Sequence, residues 1–287
     1  MTATYGVVVL TMGKRPEELQ TAVASVLAQR DVEVDVVVVG NGWIPTGLPA
    51  QVKTLALPEN LGIPAGRNAG VPEVDGELIF FLDDDACLAD DSFLADLARR
   101  FAADPSLGLI QPRVVDPSGA VAPGRWVPRL RPGNHATPGP ATALWEGAVA
   151  MRRDLFDSIG GWPDPFFYAH EGIELVWRVW DAGYTAWYAG DVSVHHPVID
   201  PARHEVYYRL NARNRVWLAR RNLPVVLEPV YVGTWVGITV LRMRDKDALK
   251  AWFGGLREGI RENPGGRKPM KWRTVWEMTK AGRPPVI

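Results

Sequence analysis

The chain has 287 residues, 47% hydrophobic and 23% charged, the balance of an ordinary soluble globular protein with room for one large α/β domain or two small ones. A single cysteine, Cys87, excludes an internal disulfide and a cysteine-based zinc site, and suits a reducing compartment. Net charge is −1, but residues 1–202 hold 14 Lys+Arg against 26 Asp+Glu, whereas residues 203–287 hold 18 against 7. That asymmetry describes an acidic body with a basic appendage suited to an anionic partner or surface.

The N-terminus, MTATYGVVVL, has no basic stretch before its short apolar run and does not read as a signal peptide. GVVVL (6–10) has the continuous β-branched character of a strand buried on both faces. RPEELQTAVASVLAQ then predicts a helix, with Pro16 at its start and Leu19, Val23, Val26 and Leu27 on one face. VEVDVVVVGNG predicts a second strand, VKTLAL a third, and GELIFFLDDD a fourth; the glycine-punctuated PENLGIPAGRNAG before the fourth opens into a short helix. Gly62, Gly66 and Gly70 there suit close backbone approach. Strands alternating with helices predict an α/β fold with a Rossmann-like, mostly parallel sheet flanked by helices, and in such sheets ligands sit beyond the carboxyl ends of the strands.

Further along, DDSFLADLARRFAADP reads as a helix and LGLIQPRVV as a strand, followed by a Pro- and Gly-rich loop over 117–140 of a length that is usually functional or mobile. A strand and short helix follow in ATALWEGAVAMRRDLFDSIGGW, then an amphipathic helix in YAHEGIELVWRVWDAGY and a last strand in TAWYAGDVSVHHP. From Arg203 onward arginines interleave with Tyr207, Tyr208, Trp217 and Leu218, and the end of the chain is rich in Trp, Lys and Arg. Its longest apolar run, VYVGTWVGITVL, is too short to span a bilayer as a helix.

The sharpest local signal is Asp83, Asp84 and Asp85 at the end of the fourth strand. At a separation of about 5 Å and an effective dielectric of ~20, each like-charge pair costs roughly 3 kcal/mol. Either all three acids face water, where screening removes the cost, or a divalent cation turns the repulsion into binding.

The order and spacing of NLGIPAGRNAG, FFLDDD, WEGAVAMRRDLFDSIGGWPDPFFYAHEGIELVWRVWDAGY and VHHP, over about residues 5–220, resembles the family-two glycosyltransferases of the GT-A fold. The tail is more loosely similar to bacterial rhamnosyltransferase-like members. The resemblance implies a GT-A catalytic domain over 1–202, divided into a nucleotide-sugar half (1–85) and an acceptor half (86–202), with a basic, Trp-rich helical extension over 203–287. It implies an inverting enzyme that moves a sugar from a nucleoside-diphosphate sugar, of UDP or dTDP type, to a hydroxyl of a glycan, a lipid-linked sugar or a small molecule. Biosynthesis of cell-envelope glycan or of a secondary metabolite is the expected setting.

Residue by residue, the resemblance places Asp85 and His195 on Mn²⁺ or Mg²⁺, ions suited to carboxylates shared with phosphate oxygens. His196 is the alternative from the opposite face of the strand. It places Thr11, Asn41, Arg67, Asp83 and Asp84 at the donor, and Trp145, Glu146 and His170 at the acceptor. Glu171 is the expected general base, with Glu174 second and His170 a third candidate. Two positions depart from the family pattern: Gly40-Asn41 stands where an aspartate usually ends the second strand, and Gly172 where an aspartate usually follows the glutamate.

Three rivals follow from these residues. A nucleotidyltransferase would share the sheet and the acids but needs a glycine-rich loop after strand one, which VVVLTMGKRPEEL lacks. A nucleotide-sugar-binding protein with lost or weak catalysis is favoured by Gly172 alone. Nucleic-acid binding would suit the basic tail, but no RNA or DNA module is recognisable, so none is expected. The expected location is cytoplasmic, with the tail packed on the body and touching the inner face of an anionic membrane.

Overall fold

The computed structural model describes residues 2–198 and 205–287; the expected boundary at 202/203, with Arg203, lies outside them. Strand β1 (Ala3–Thr11) is followed by helix α1 (Pro16–Leu27), β2 (Val32–Asn41), β3 (Lys53–Leu57), α2 (Ile63–Gly70), β4 (Leu78–Asp83) and the two-residue β5 (Cys87–Leu88). Then come α3 (Phe93–Ala103), β6 (Leu107–Val115), β7 (Gly139–Pro140), β8 (Ala148–Arg152), α4 (Arg153–Ile159), α5 (Glu171–Asp181) and β9 (Thr185–His195). Four helices follow: α6 (Glu205–Asn222), α7 (Glu228–Arg242), α8 (Lys246–Arg261) and α9 (Trp272–Lys280).

One sheet runs β3-β2-β1-β4-β8-β6-β9-β5, with β7 paired to β9. Its first four strands are parallel, as the alternating pattern predicts. β8 enters antiparallel between β4 and β6, and β5 and β7 pair antiparallel with β9, so the sheet beyond β4 is mixed. The chain leaves β1 toward β2 on one side and returns with β4 on the other, which opens a crevice at the carboxyl ends of β1 and β4.

Alternate side chains along each strand feed two cores. Tyr5, Val7 and Val9 of β1 with Phe80 and Leu82 of β4 meet α1 and α3, whose Leu19, Val23, Phe93 and Leu97 are buried there. Val8 of β1 with Ile79 and Phe81 of β4 lie on the other face under α4, α5 and the C-terminal helices. Burial of each such aliphatic or aromatic side chain contributes about 1.5–3 kcal/mol. Trp217, Leu218, Tyr231 and Met278 belong to this second core, so the C-terminal helices share the hydrophobic interior of the sheet they cover.

α1 starts at Pro16 with Glu17 and Glu18 in its first turn, where the helix dipole favours acids. Its buried Leu19, Ala22, Val23 and Val26 recur at helical spacing. α2 approaches the sheet closely because Gly66 and Gly70 face it: a Cβ on Gly70 would lie 2.6 Å from Val8 and 2.7 Å from Val39.

Candidate active site

The acidic triplet stands at the crevice, and each acid has a cationic partner or a donor. Arg67 Nη2 donates to Asp83 Oδ1 at 2.7 Å, and Thr11 Oγ1 donates to Asp84 Oδ2 at 2.6 Å. Arg15, from the turn into α1, reaches Asp84 at 3.2 Å and also pairs with Asp85. His196 Nε2 lies 3.1 Å from Asp85 Oδ1. Burial alone would raise the Asp85 carboxyl, but the His196 hydrogen bond and charge, with Arg15, outweigh it and hold it below the usual range. Burial would likewise depress His196, and Asp85 outweighs it, so the imidazole is raised. Asp84 is raised, by burial first, against the hydrogen bond from Thr11.

Ligand atoms of Asp83, Asp85 and His196 all lie within 4.8 Å of one another. Two carboxylates and one imidazole at a half-buried strand end fit Mn²⁺ or Mg²⁺ with its remaining positions left to water or phosphate. The expected histidine is corrected: His195 ends β9 opposite Cys87, and His196 is the one in the cluster. Successive residues of an extended chain point to opposite faces, so one of the two histidines can face the acids and the other cannot.

Two cavities meet at the triplet. The first, about 340 Å³, is lined by Thr11, Met12, Lys14, Asn41, Asn60, Asp84 and Phe167. The second, about 480 Å³, is lined by Arg67, Arg125, Trp126, Trp145, Glu146, His170, Glu171, His196, Tyr207 and Asn211. Arg15, Ile63, Asp83, Asp85 and Tyr168 border both.

Three expected donor contacts change in detail. Asn41 borders the first cavity, but its Nδ2 donates to Asn60 Oδ1 and Gly62 O while its Oδ1 accepts from Leu61 N. The amide thus fastens the 60–62 turn, and both of its donors are committed to the chain itself. Gly62 in that turn has φ 85°, and a Cβ there would strike the Phe167 backbone at 2.5 Å. Arg67 is 1% exposed, lies 4.9 Å over the Trp162 ring, and backs Asp83 on the side of the second cavity. Thr11 holds Asp84 and Gly13 N as well as lining the first cavity.

In the second cavity Trp145 stands edge-on to His196, ring centroids 5.0 Å apart. Glu146 and Glu171 lie side by side, with Gly172 N donating to Glu146 Oε1 at 3.1 Å. Burial, then the Glu146 charge, push the Glu171 carboxyl up to about 8. Glu146 is also raised, by burial, against the pull of Arg67. Burial and then the Arg215 charge hold His170 well below the usual imidazole range. Glu171 Oε2, His170 Nε2 and His196 Nδ1 are buried with no partner among the described residues, an arrangement suited to a polar ligand in this cavity.

Glu174 does not join them. It is fully buried, accepts from Arg221 Nε at 3.0 Å and Nη2 at 2.9 Å and from Asn222 Nδ2 at 3.0 Å, and pairs with Arg178. The expectation of Glu174 as an alternative base is corrected, because both of its oxygens are engaged away from the cavity.

Sequence reasoning gave no role to Arg15, Asn60, Tyr168 or Asn214. Asn214 of α6 is buried and donates to the carbonyls of Phe166, Tyr168 and Ala169. It thereby steadies a loop in which Phe167, Ala169 and His170 all have φ between 63° and 72°. Such backbone strain concentrates where side chains are held for function. Asn60 lies within the glycine-punctuated stretch that carries the resemblance; Asn214 has no local signal.

With this geometry in place, comparison with known proteins is specific. Residues 7–160 match the glycosyl transferase family 2 profile, and the chain belongs to that family. It is 27% identical over 203 residues, 60% of this chain, to the O-antigen biosynthesis protein RfbC of Myxococcus xanthus, of whose length it spans 16%. Among solved structures, GalNAc-T7 with UDP, GalNAc and Mn²⁺ superposes at TM-score 0.66 and 15% identity, covering 99% of this chain and 58% of that one. The Pyrobaculum calidifontis mannosyltransferase PcManGT, in complex with GDP-Man and Mn²⁺, gives 0.57 and 17%, covering 98% and 79%. S. aureus TarS 1-349 gives 0.61 and 16%, covering 90% and 80%. The fold is that of the GT-A glycosyltransferases, with a helical C-terminal region.

Proposed function

We propose that this chain transfers a sugar, with inversion, from a nucleoside-diphosphate sugar of UDP or dTDP type to an acceptor hydroxyl. The observation that carries the reading is that two cavities of different character meet at one carboxylate cluster. The donor nucleotide fits the cavity of Thr11, Asn60 and Asp84; the acceptor fits that of Trp145, Glu146 and His170, whose Trp and Tyr faces suit the C–H surface of a sugar. Asp85 and His196, with Asp83 beside them, would hold Mn²⁺ or Mg²⁺. The bound ion would neutralise charge developing on the diphosphate.

The acceptor oxygen forms its bond to the anomeric carbon as the bond to the diphosphate breaks, the electron pair leaving on phosphate oxygen. The hydroxyl proton passes to Glu171, which stands on the acceptor side of the triplet. A carboxyl raised to about 8 is a stronger base than an ordinary glutamate. The UDP, GDP-Man and Mn²⁺ named for the structural relatives support a nucleotide-sugar donor and the ion, and the O-antigen relative supports a cell-envelope glycan as acceptor. The basic 203–287 region, with exposed Val230, Leu241, Trp272 and Trp276, supports contact with an anionic membrane surface.

The test is incubation with a panel of UDP-, dTDP- and GDP-sugars with and without Mn²⁺, reading released diphosphate beside calorimetric binding of the free diphosphates. Slow Mn²⁺-dependent donor hydrolysis is expected for one donor class. Glu171→Gln should keep diphosphate binding and lose roughly 10²–10⁴ in rate, and Asp85→Ala should lose the Mn²⁺-dependent part of binding. Tight binding without turnover of any donor would make the chain a binding protein. Undiminished binding in Asp85→Ala would remove that residue from the ion.

A further inference from the structure

Gly172 opens the first turn of α5 without a side chain, yet the space beside it is filled. A Cβ there would lie 2.5 Å from Glu146 Oε1 and 2.6 Å from Glu146 Cγ. Glu146 arrives from the segment entering β8, 26 residues upstream, and accepts the Gly172 N–H. The fold therefore brings to Glu171, from a separate element, the carboxylate that the next position of its own helix does not carry. A buried acid, Glu171, thus stands beside a half-buried one, Glu146, an arrangement that disfavours ionising both.

We propose that Glu146 is the positioning residue for the proton acceptor Glu171: it fills the side-chain space at position 172, holds the first turn of α5 through the Gly172 N–H, and sets a second negative charge against the base. The role in turnover rests on the glycosyl-transfer reading; the pairing of the two acids does not. Glu171 is faced by Glu146 from the approach to β8, Arg67 from α2, Asp83 from β4 and the Tyr168 phenol from the preceding loop, and His170 adjoins it. Arg67 is the cation that acts on Glu171 and is already paired with Asp83, while Arg15, Arg125 and His196 line the same cavity, Arg15 and His196 held by Asp85. The Glu146 charge is therefore only partly offset where it meets Glu171, and it strengthens the base.

The sign follows directly. The proton acceptor works ionised, so rate rises with pH through the Glu171 midpoint. Removing the Glu146 charge lowers that midpoint and moves the rising limb to lower pH. A residue that merely filled space and held the Gly172 N–H would move neither, because glutamine offers the same shape and an amide oxygen.

Carbon-13 NMR titration of the glutamate carboxyls, with Glu171 assigned by Glu171→Gln, is the first measurement. It is made on wild type, Glu146→Gln, and Glu146→Ala with and without Gly172→Asp. The expected midpoint is about 8 in wild type and lower by roughly one unit or more in Glu146→Gln and Glu146→Ala. Adding Gly172→Asp to Glu146→Ala should return it toward wild type, because the carboxylate has been moved and not lost. In wild type the same Gly172→Asp should disrupt α5, since Glu146 already occupies the space. The pH–rate profiles should follow the midpoints, with kcat changed more than donor KM. An unmoved midpoint in Glu146→Gln, or no return in the double variant, overturns the proposal. Midpoints that move as expected in a protein that turns over no donor sustain the acid pair and sink the glycosyl-transfer reading.

Discussion

Glu174 lies one helical turn from Glu171 and does a different job. Its carboxylate joins α5 to α6 through Arg221 and Asn222, and also neutralises Arg178 within α5. Removing one partner of a buried ion pair leaves the others charged and desolvated, at a cost of about 3–5 kcal/mol. Glu174→Ala should therefore lower the unfolding free energy measured by urea titration by about that amount, with a lower midpoint, while turnover per folded molecule is kept. A wild-type midpoint with turnover lost would return Glu174 to the chemistry. At this scale the sequence is only partly legible. Arg221 is 47 residues from Glu174, and no local pattern announces a contact over that separation. The same limit applies to Asn41, whose partners at 60–62 lie across the crevice. It applies also to His195 and His196, where the strand fixes that one faces the acids but adjacent identical residues do not reveal which. Asp83, Asp84 and Asp85 were legible because three like charges after a buried strand demand an explanation by themselves.

At the scale of elements, the strands with unbroken apolar runs were legible because both of their faces are buried, and β1, β2 and β4 all appear in the structure. The two-residue β5 and β7 were not, since so short a pairing leaves no periodicity to read. The antiparallel entry of β8 likewise depends on the path of the chain between β6 and β8 and not on the composition of the strand. That path is the 117–140 loop, which contains a single 3-10 turn at Gly124–Trp126. The loop borders the second cavity through Arg125 and Trp126, and the Trp126 ring stands edge-on to His196 with centroids 5.5 Å apart. It is tied down where Gln111 Nε2 donates to Trp126 O and Tyr188 Oη donates to His135 O, while Val121 and Leu130 stay exposed. Trypsin should cut at the Arg125–Trp126 and Arg129–Leu130 bonds in the free protein, and nucleotide plus Mn²⁺ should suppress the cut by ordering the loop against the cluster. Unchanged cutting in the presence of both would show that the loop does not close over the site.

At the scale of the molecule, the charge asymmetry survives folding because many of the tail cations do not compensate the acids of the body. Of the ion pairs among the described residues, Arg221 with Glu174 joins α6 to α5, whereas Arg209 and Arg213 pair with Glu258 inside the tail. The outward side of α7 carries Val230, Val240 and Leu241, and Trp272 and Trp276 are exposed on α9. No helix among the described residues is long and apolar enough to cross a membrane. Sedimentation with liposomes should rise with anionic lipid content and fall at high salt, since surface charges are screened within about 10 Å at 0.1 M salt. Binding indifferent to both would leave the tail as a packing element alone.

The wall shared by the two cavities carries a thermodynamic consequence. Arg15, Ile63, Asp83, Asp85 and Tyr168 face both compartments, so a ligand that reorients any of them in one compartment changes the surface offered in the other. Linkage makes that effect mutual: the factor by which a ligand in the first cavity changes affinity in the second is the factor by which a ligand in the second changes affinity in the first. Arg15 is the natural carrier of such coupling, because it is half-exposed and bridges Asp84 to Asp85. A cation drawn to the acids from the first cavity would compete with this guanidinium and free it to turn toward the second. Filling one compartment would then prepare its neighbour, and order of binding would be written into a partition that belongs to both.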